Sequence, residues 1–474
     1  MTTYFLPEAI TCVLIVALLF LTLAKNRISE VFLSRAVALT GVALIAACLP
    51  GLTDTATNIF FNSYRVDMLS QGFKVILSIT LIVTALMSAQ WNSIAKSKIV
   101  EYYLFIATGL LGMMLIVSAS DILLLFVSLE LSAYSLYLLA ALRQTDKNAE
   151  SSVKYLIFGA ATSGASIWGL SLIVGLTGTT SLPQITQNSA LYLMEPAFTV
   201  GAFLFLLSLL FKLSCFPAHF WAPDVYENAS TSAVNYIATA SKAAAVAVLI
   251  RLFIWLDVPV SASIFLGVLA FISMTLGNTA ALLQKDVKRL LAYSSIAQAG
   301  YILLGLMAGT SDGYAACFFY AFAYIVMNSG AFLVTLTVAK FSQTDNPKIS
   351  DFDGLAERSP FLALILLLSL LSLAGIPPLL GFTGKWFLFT APMKQGHWFL
   401  VLWAVLNSVV SLFYYLTLVK HAYLKKPVNP DPMKLSKSFI VLGLILFAAL
   451  VVIGIYPTPF IDFAGAAIFQ ATTS

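Results

Sequence analysis

Long apolar runs separated by short polar segments dominate the pattern of this 474-residue chain. A membrane-spanning helix needs about 20 predominantly apolar residues. Fourteen runs satisfy this requirement, and their predicted bounds are 5–24, 31–50, 71–90, 101–119, 121–142, 153–177, 197–219, 232–256, 261–283, 289–308, 314–340, 360–390, 396–423 and 438–457. The pattern therefore predicts an all-α polytopic membrane protein with about 14 transmembrane helices.

Two of the predicted helices are over-long and interrupted by proline. The seventh run breaks at Pro217, and the twelfth breaks just after Gly375, at Pro377 and Pro378. Proline removes a backbone donor and clashes with the preceding turn. The freed carbonyls persist at membrane depth only where they face protein or a wet cavity. Broken spans at matching places in two halves of a chain are typical of a transporter core built from inverted repeats.

The positions of these breaks predict how the chain is organised. We expect one membrane domain over residues 1–474, with three N-terminal helices in 1–95 and a C-terminal helix in 436–474. Between them we expect inverted five-helix repeats of an antiporter-like fold, the first in 100–256 and the second in 260–423. Little residue-level similarity relates the two halves, so the repeat is inferred from spacing and breaks.

Composition agrees with a membrane protein. Hydrophobic residues make up 60% of the chain and charged residues 10%, whereas a soluble domain carries about 25% charge. The formal net charge of +5 does not indicate nucleic-acid binding, because the basic residues lie in short loops between apolar runs. No basic segment precedes the first run, so we expect a retained helix and not a cleaved signal peptide.

The basic residues also predict an orientation. Eighteen of the 26 lysines and arginines belong to one alternate set of loops and their flanks, whereas only Arg65, Lys74 and Lys394 belong to the other. Basic loops are normally cytoplasmic. The count therefore predicts a bacterial inner-membrane protein with both termini periplasmic. The remaining five basic residues lie within the predicted spans: Lys154, Lys212, Lys242, Arg251 and Lys385.

Ionisable residues deep inside apolar runs are the strongest functional feature of the chain. Glu130, Lys212, Lys242 and Lys385 lie far from the ends of their predicted helices or beside a break. A charged side chain at the centre of a bilayer costs about 3 kcal/mol on insertion scales, and such residues commonly mark ion or proton pathways. The alternatives are snorkelling from a helix end or a single structural ion pair, and these stay open for Lys154 and Arg251.

A proton relay is chemically suited to such residues. Burial disfavours a charged amine and a neighbouring carboxylate favours it, so a Glu–Lys pair that opens and closes loads and unloads a proton. A switch worth about 4 kcal/mol exceeds the work of about 2.3 kcal/mol needed to move one charge against 100 mV.

The sequence gives little indication of disulfide, metal or cofactor chemistry. His219, two residues after Pro217, either lines a wet exit or caps polar backbone. The four cysteines form no CxxC pair, so we expect neither a disulfide framework nor a metal site. The chain lacks dinucleotide-binding, phosphate-loop and HExxH patterns. We therefore expect no cofactor to be bound by this chain.

Four segments carry a family resemblance. Phe211–Tyr226, which contains Lys212 and Pro217, closely resembles the seventh-helix region of subunit N of bacterial NADH–quinone oxidoreductase, respiratory complex I. Ala238–Lys242, Lys288–Ile296 and Leu371–Lys385 look like its eighth, tenth and twelfth helices. The similarity extends over essentially the whole chain and favours subunit N over the L and M relatives.

The resemblance implies a proton-translocating subunit that couples NADH:quinone electron transfer, performed by other subunits, to proton movement. It implies that Glu130 pairs with Lys212, that Lys242 is the central lysine and that Lys385 is the terminal one. Lys154, Gln298 and His219 would support the relay or hold water. FMN, iron–sulfur clusters and quinone are expected in partner subunits. Expected partners are neighbouring antiporter-like and small membrane subunits, lipids, protons and water, and no nucleic acid.

One position departs from the family pattern, because Gln298 stands where the family usually has histidine. A glutamine can hydrogen-bond and hold water but cannot titrate. We therefore expect water to complete the link between Lys242 and Lys385.

Two other functions remain open at this point. A subunit of a multisubunit sodium/proton antiporter would share the fold and the lysines, and co-purifying redox partners would distinguish it. A membrane-arm scaffold that no longer pumps is the other alternative, although retention of Glu130 and three buried lysines argues against it. A subunit of a related hydrogenase or plastoquinone-reducing complex is also compatible with the motifs.

Overall fold

A computed structural model describes residues 2–24, 29–53, 55–89, 93–187, 192, 195–256, 260–427 and 431–473. Lys25 and Arg27, which belong to the basic set of loops, lie outside the described residues.

The described chain is almost entirely helical. The first half contains α1 (Leu6–Leu23), α2 (Glu30–Cys48), a hairpin of β1 (Thr57–Ile59) and β2 (Tyr64–Val66), α3 (Met68–Ser88), α4 (Ile99–Ser118), α5 (Ile122–Ala141), α6 (Asp146–Thr177), α7 (Pro196–Leu213) and α8 (Trp221–Asn228). Next comes α9, which runs through Thr231–Tyr236, a π-helical turn at Ile237–Ser241, and Lys242–Leu256.

The second half contains α10 (Val260–Ala281), α11 (Val287–Met307), α12 (Ser311–Phe341), α13 (Pro360–Ala374), α14 (Leu380–Lys394), α15 (Trp398–Leu424), α16 (Lys437–Ile453) and α17 (Thr458–Thr473). Two shorter helices, Leu182–Gln187 and Leu355–Arg358, lie in connections between these elements.

The prediction of a polytopic helical bundle is confirmed. Twelve described helices are long and apolar enough to cross a membrane, and the bent pair α16–α17 would make a thirteenth span. The predicted twelfth span is present as α13 and α14, which have 15 residues each and are too short to span separately. The helix α17 was not predicted, because the last apolar run ends at the 80° bend between α16 and α17.

Each predicted break is present, although one begins earlier than expected. The helix α7 ends at Leu213, and Ser214 adopts the left-handed region with φ 59°. The interruption therefore starts three residues before Pro217, which lies inside it. The second break follows the prediction: Gly375 ends α13 with φ 89°, and α14 starts after Pro377 and Pro378.

Contacts between connections define two faces of the bundle. On the first, which we call face A, Phe5 packs edge-on against Tyr64 of the hairpin with 5.6 Å between ring centroids. On the same face, Gln470 of α17 donates to the carbonyl of Thr53 at 2.8 Å. Both ends of the described chain therefore lie at face A, as the even number of predicted spans requires.

The opposite face, face B, carries a network of charged and amide groups. Arg143 donates to the Asn228 carbonyl at 2.7 Å and to Asn346 Oδ1 at 3.0 Å. His421 Nδ1 lies 2.5 Å from Asp353 Oδ1. These contacts tie the connections after α5 and α12 to the ends of α8 and α15.

The most buried helices form the centre of the bundle. In their most apolar stretches, 94% of residues are buried in α11 and α12, and 89% in α9, against 28% in α1. Lys242 on α9 therefore lies in the middle of the protein, whereas α7 and α14, which carry Lys212 and Lys385, lie nearer its surface.

Lys74 was wrongly assigned to a loop flank, whereas Arg65 lies in the connection between α2 and α3 as expected but is buried. Lys74 lies inside α3, is fully buried, and forms an ion pair with Glu8 at 2.8 Å. Arg65 is 4% exposed and pairs with Asp67 at 3.1 Å. The sequence pattern missed the partner of Lys74 because Glu8 belongs to a different helix, α1.

A further buried ion pair holds Arg251 on α9. Its guanidinium donates to both carboxylate oxygens of Asp67, at 2.8 and 2.9 Å, and to the Val117 carbonyl at 3.2 Å. The side chains are 5% and 0% exposed. Of the alternatives left open for Arg251, the structure supports the structural ion pair.

Replacing one member of this pair tests its contribution to stability. We expect Asp67→Asn to lower the free energy of unfolding by about 3–5 kcal/mol, because it leaves the Arg251 guanidinium buried without its counter-charge. Thermal unfolding of the purified protein in detergent measures the effect. The matched control is Glu101→Gln, which breaks the partly exposed Lys98–Glu101 pair and should cost at most about 1 kcal/mol. Equal melting temperatures for the two variants would contradict the assignment.

Candidate functional site: buried lysines beside helix breaks

Lys212 lies in the last turn of α7, immediately before the break. Its side chain is 9% exposed, and its ammonium donates to Ser132 Oγ on α5 at 2.7 Å. Glu130, also on α5, accepts a hydrogen bond from Ser163 Oγ of α6 at 2.5 Å. The break and two neighbouring helices therefore bring the predicted carboxylate and lysine into one region.

Glu130 and Lys212 share a small cavity and are not in direct contact. Both line an enclosed space of about 20 Å³, together with the hydroxyl-bearing Ser163, Ser166 and Ser208. No ion pair within 4.0 Å joins the two groups in the described chain. A polar cavity of this size holds about one water. In this structure the two groups are therefore placed so that one water could bridge them.

Lys242 lies at the centre of the bundle, directly after the π-helical turn of α9. It is 2% exposed, and its ammonium donates to the Ser295 carbonyl at 3.0 Å and to the Ser295 hydroxyl. The Tyr226 hydroxyl lies 3.2 Å from the same Ser295 Oγ. The π-helical turn was not predicted, because no proline or glycine marks it.

Lys385 caps the broken end of α13. Its ammonium donates to the carbonyls of Leu373 and Ala374, at 2.8 and 3.2 Å, and to Ser408 Oγ of α15 at 2.8 Å. These carbonyls belong to the last turn of α13, whose acceptors lack intrahelical partners and attract cations. The side chain is 3% exposed at the edge of a cavity of about 300 Å³. Lys385 therefore supplies hydrogen-bond donors to carbonyls that the break leaves without intrahelical partners.

Gln298 on α11 is held at both ends of its amide. Nε2 donates to the Leu373 carbonyl at 3.0 Å, and Oε1 accepts from the Tyr320 hydroxyl of α12 at 2.5 Å. The Leu373 carbonyl also accepts from Lys385, so the two side chains share one acceptor. A direct hydrogen bond therefore connects Gln298 to the α13 break.

The two remaining predicted residues differ in environment. Lys154 is 44% exposed in its side chain and pairs with Glu150 at 2.7 Å and Asp224 at 3.2 Å, so it forms a surface ion pair. His219 is 5% exposed inside the α7–α8 break, and its Nδ1 has no hydrogen-bond partner among the described residues. Such a buried polar atom calls for an ordered water, which favours a wet role for this segment.

Serine hydroxyls are the functional groups that the sequence analysis missed. Each of the three predicted relay lysines donates to a serine on another helix: Lys212 to Ser132, Lys242 to Ser295 and Lys385 to Ser408. Ser132 lies two residues after Glu130 on α5, a spacing at which helical side chains do not face each other, so the sequence contained no signal for it. Ser408 lies in an apolar run with no local signal, and only the tertiary fold brings it to Lys385.

Comparison with known proteins places this arrangement in a family. The family model described as NADH:quinone oxidoreductase/Mrp antiporter, TM matches residues 119–411. NADH-quinone oxidoreductase subunit N 2 of Syntrophobacter fumaroxidans is 42% identical over 467 residues, which cover 98% of each chain.

Solved structures share the fold. A chain of respiratory complex I from Thermus thermophilus aligns with a TM-score of 0.83 and 31% identity, over 97% of this chain and 100% of that one. A chain of the Mrp complex from Dietzia sp. DQ12-45-1b aligns with a TM-score of 0.90 over 100% and 98% of the two chains. Its identity is 19%, so this likeness shows the fold alone.

Substitution of Gln298 tests whether its amide braces the α13 break. We expect Gln298→Leu to lower the free energy of unfolding by about 1–3 kcal/mol, because it removes a donor and an acceptor from buried polar partners. Gln298→His keeps one donor and one acceptor and should retain most of the stability. Thermal unfolding in detergent measures both variants. A leucine variant as stable as the unmodified protein would refute the bracing role.

Proposed function

Because the chain belongs to the subunit N family of NADH–quinone oxidoreductases, we propose that Glu130, Lys212, Lys242 and Lys385 form its proton relay. The chain is a proton-translocating, antiporter-like membrane subunit of respiratory complex I. Its partners are the other membrane-arm subunits of that complex. The relay is the part of this function that belongs to the residues of this chain.

One observation carries the proposal: three amines lie buried beside irregular backbone and are bound to hydroxyls and carbonyls. Lys212, Lys242 and Lys385 are each less than 10% exposed, and their hydrogen-bond partners among the described residues are uncharged oxygens. A neutral amine can remain in such surroundings as well as an ammonium, since a hydroxyl can donate to it in turn.

The small cavity beside Lys212 provides a route for the first transfer. A water in this cavity would accept a proton from the Lys212 ammonium while it gives one of its own protons to the Glu130 carboxylate. The products are a neutral amine and a neutral acid, and the water is regenerated. The reverse transfer restores the two charges, so the pair stores or releases one proton according to the surrounding field.

We also propose a division of the chain into four segments. We assign residues 1–95 to the N-terminal helices, 100–256 and 260–423 to the two inverted repeats, and 436–474 to the C-terminal helices. The presence of one break with a left-handed residue in each repeat, at Ser214 and at Gly375, supports this division.

Electron transfer belongs to partner subunits in this proposal. The chain is part of a NADH:quinone oxidoreductase, and FMN, iron–sulfur clusters and quinone would be bound elsewhere in the complex. Proton movement in this chain would be coupled to that chemistry through its contacts with neighbouring membrane subunits. Gln298 would hold the α13 break in place, and Lys154 would stabilise the bundle near face B.

The chain is a multi-pass protein of the bacterial inner membrane, and we infer that face A is periplasmic. The basic loops support this orientation, because most of them connect helices at face B. The identity of 42% to a NADH-quinone oxidoreductase subunit, against 19% to a chain of the Mrp complex, favours the complex I function over that of a sodium/proton antiporter subunit.

Alanine substitution tests the relay. We expect Lys212→Ala and Lys385→Ala each to assemble into the complex and to lose coupled proton transport, because the buried site can no longer exchange a proton. The measurement is proton uptake per NADH oxidised in vesicles, with the amount of assembled complex determined in the same membranes. Ser171→Ala is a control at an exposed hydroxyl of α6 outside the relay. Normal pumping by both lysine variants would refute the assigned roles.

Reporter fusions test the orientation. We expect alkaline phosphatase fused after Ser474 to be active, because this enzyme folds only in the oxidising periplasm. A fusion in the face B connection at residues 343–347 should be inactive. The opposite pattern would place face A in the cytoplasm and contradict the proposed orientation.

A further inference from the structure

We propose that Glu8, Tyr64 and Lys74 form an additional proton-exchange site under the β1–β2 hairpin, apart from the lysine relay. The proposal rests on the proposed function, since it adds a site to a proton-translocating subunit. Its three residues belong to α1, β2 and α3, outside the two proposed repeats.

The three functional groups are in mutual contact and sealed from solvent. Lys74 Nζ lies 2.8 Å from Glu8 Oε1, and it donates to the Tyr64 hydroxyl at 2.6 Å. That hydroxyl in turn donates to Glu8 Oε1 at 2.6 Å. Glu8 and Lys74 are 0% exposed and Tyr64 is 1% exposed. An ammonium, a phenol and a carboxylate thus form a closed chain of donors and acceptors.

The other carboxylate oxygen is available for a further proton partner. Glu8 Oε2 is buried and has no hydrogen-bond partner among the described residues. The hydroxyl of Ser120, just after α4 and beside the hairpin, is likewise buried without a hydrogen-bond partner among the described residues. Buried polar atoms left unpaired in this way are normally satisfied by ordered water. Water beside Glu8 would connect the carboxylate with the hairpin at face A.

The hairpin above the site is strained at its turn. Phe60, Phe61 and Asn62 have φ values of 52°, 55° and 65°, which L-residues with a side chain adopt at a cost of order 1 kcal/mol or more each. Phe61 is fully exposed, whereas Tyr64, three residues later, bridges the ion pair. Such strain is often found in segments that move or control access. A shift of the hairpin would open the site towards face A.

The same strand connects the site to the central helix of the relay. Val66 lies two residues after Tyr64. The next residue, Asp67, binds Arg251 of α9 through both carboxylate oxygens. Arg251 follows Lys242 by nine residues, or about 14 Å along the helix. Movement of the hairpin would therefore be transmitted to the helix that carries Lys242.

The transfer within the site conserves protons and charge. Lys74 gives a proton to the phenol oxygen of Tyr64 while the phenol gives its own proton to Glu8. The products are a neutral amine, an intact phenol and a carboxylic acid, which can then exchange its proton with water below the hairpin. The other ionisable groups near the site are Cys48 on α2 and Cys12 on α1, together with Arg65, Asp67 and Arg251.

A double substitution separates proton exchange from structural pairing. Removing one partner leaves a buried charge and destabilises the fold, whereas replacing both by apolar residues of similar volume is commonly neutral. We therefore choose Glu8→Leu with Lys74→Met, measured in the assembled complex in vesicles. The matched control applies the same residue types to a surface pair, as Glu101→Leu with Lys98→Met. Lys242→Ala serves as the reference for loss of the relay.

The inference predicts that the double variant assembles normally and that its proton uptake per NADH falls to the level of Lys242→Ala, while the surface-pair control pumps normally. Assembly with normal pumping would overturn the inference and leave the relay intact. Normal pumping by Lys242→Ala would instead refute the proposed function. If the double variant fails to assemble, Tyr64→Phe decides, since it keeps the ion pair and removes only the hydroxyl. Reduced pumping supports the site, and unchanged pumping overturns it.

Discussion

A charged amine inside a membrane protein persists only where the protein itself supplies the oxygen atoms that water would otherwise provide. This constraint explains where the three relay lysines lie. Lys385 obtains two carbonyls because α13 ends at Gly375. Lys242 obtains the Ser295 carbonyl and hydroxyl directly beyond a π-helical turn, and Lys212 obtains a serine one residue before α7 ends. Irregular backbone and buried amines therefore support each other.

Arg251 and the relay lysines differ in the groups that bind them. Arg251 is locked to a carboxylate by two hydrogen bonds and holds α9 against the start of α3. The relay lysines are bound by neutral oxygens, and Glu130 is separated from Lys212 by a cavity with room for one water. An arginine stays charged at any physiological pH, whereas a lysine among neutral oxygens changes its protonation state more readily. Arg251 fixes the bundle, and the relay lysines are suited to carry protons.

The sequence predicted the elements that depend on local composition. Fourteen apolar runs, the break after Gly375 and the depth of Lys242 all follow from hydropathy and from proline, because these properties act on one segment at a time. The start of the first break was misplaced, since Ser214 adopts a left-handed conformation that no residue type demands there. Lys74 was assigned to a loop flank because its partner Glu8 lies 66 positions earlier in the chain. Ser408 and Tyr320 were missed for the same reason.

The central claim is that a proton passes between Lys212 and Glu130 through a single water. An electron cryomicroscopy map of the assembled complex, at a resolution that shows ordered water, tests this most directly. We expect density for a water in the cavity, within hydrogen-bonding distance of Lys212 Nζ and of a Glu130 carboxylate oxygen. A dry cavity, with the two groups separated and no water between them, would contradict it.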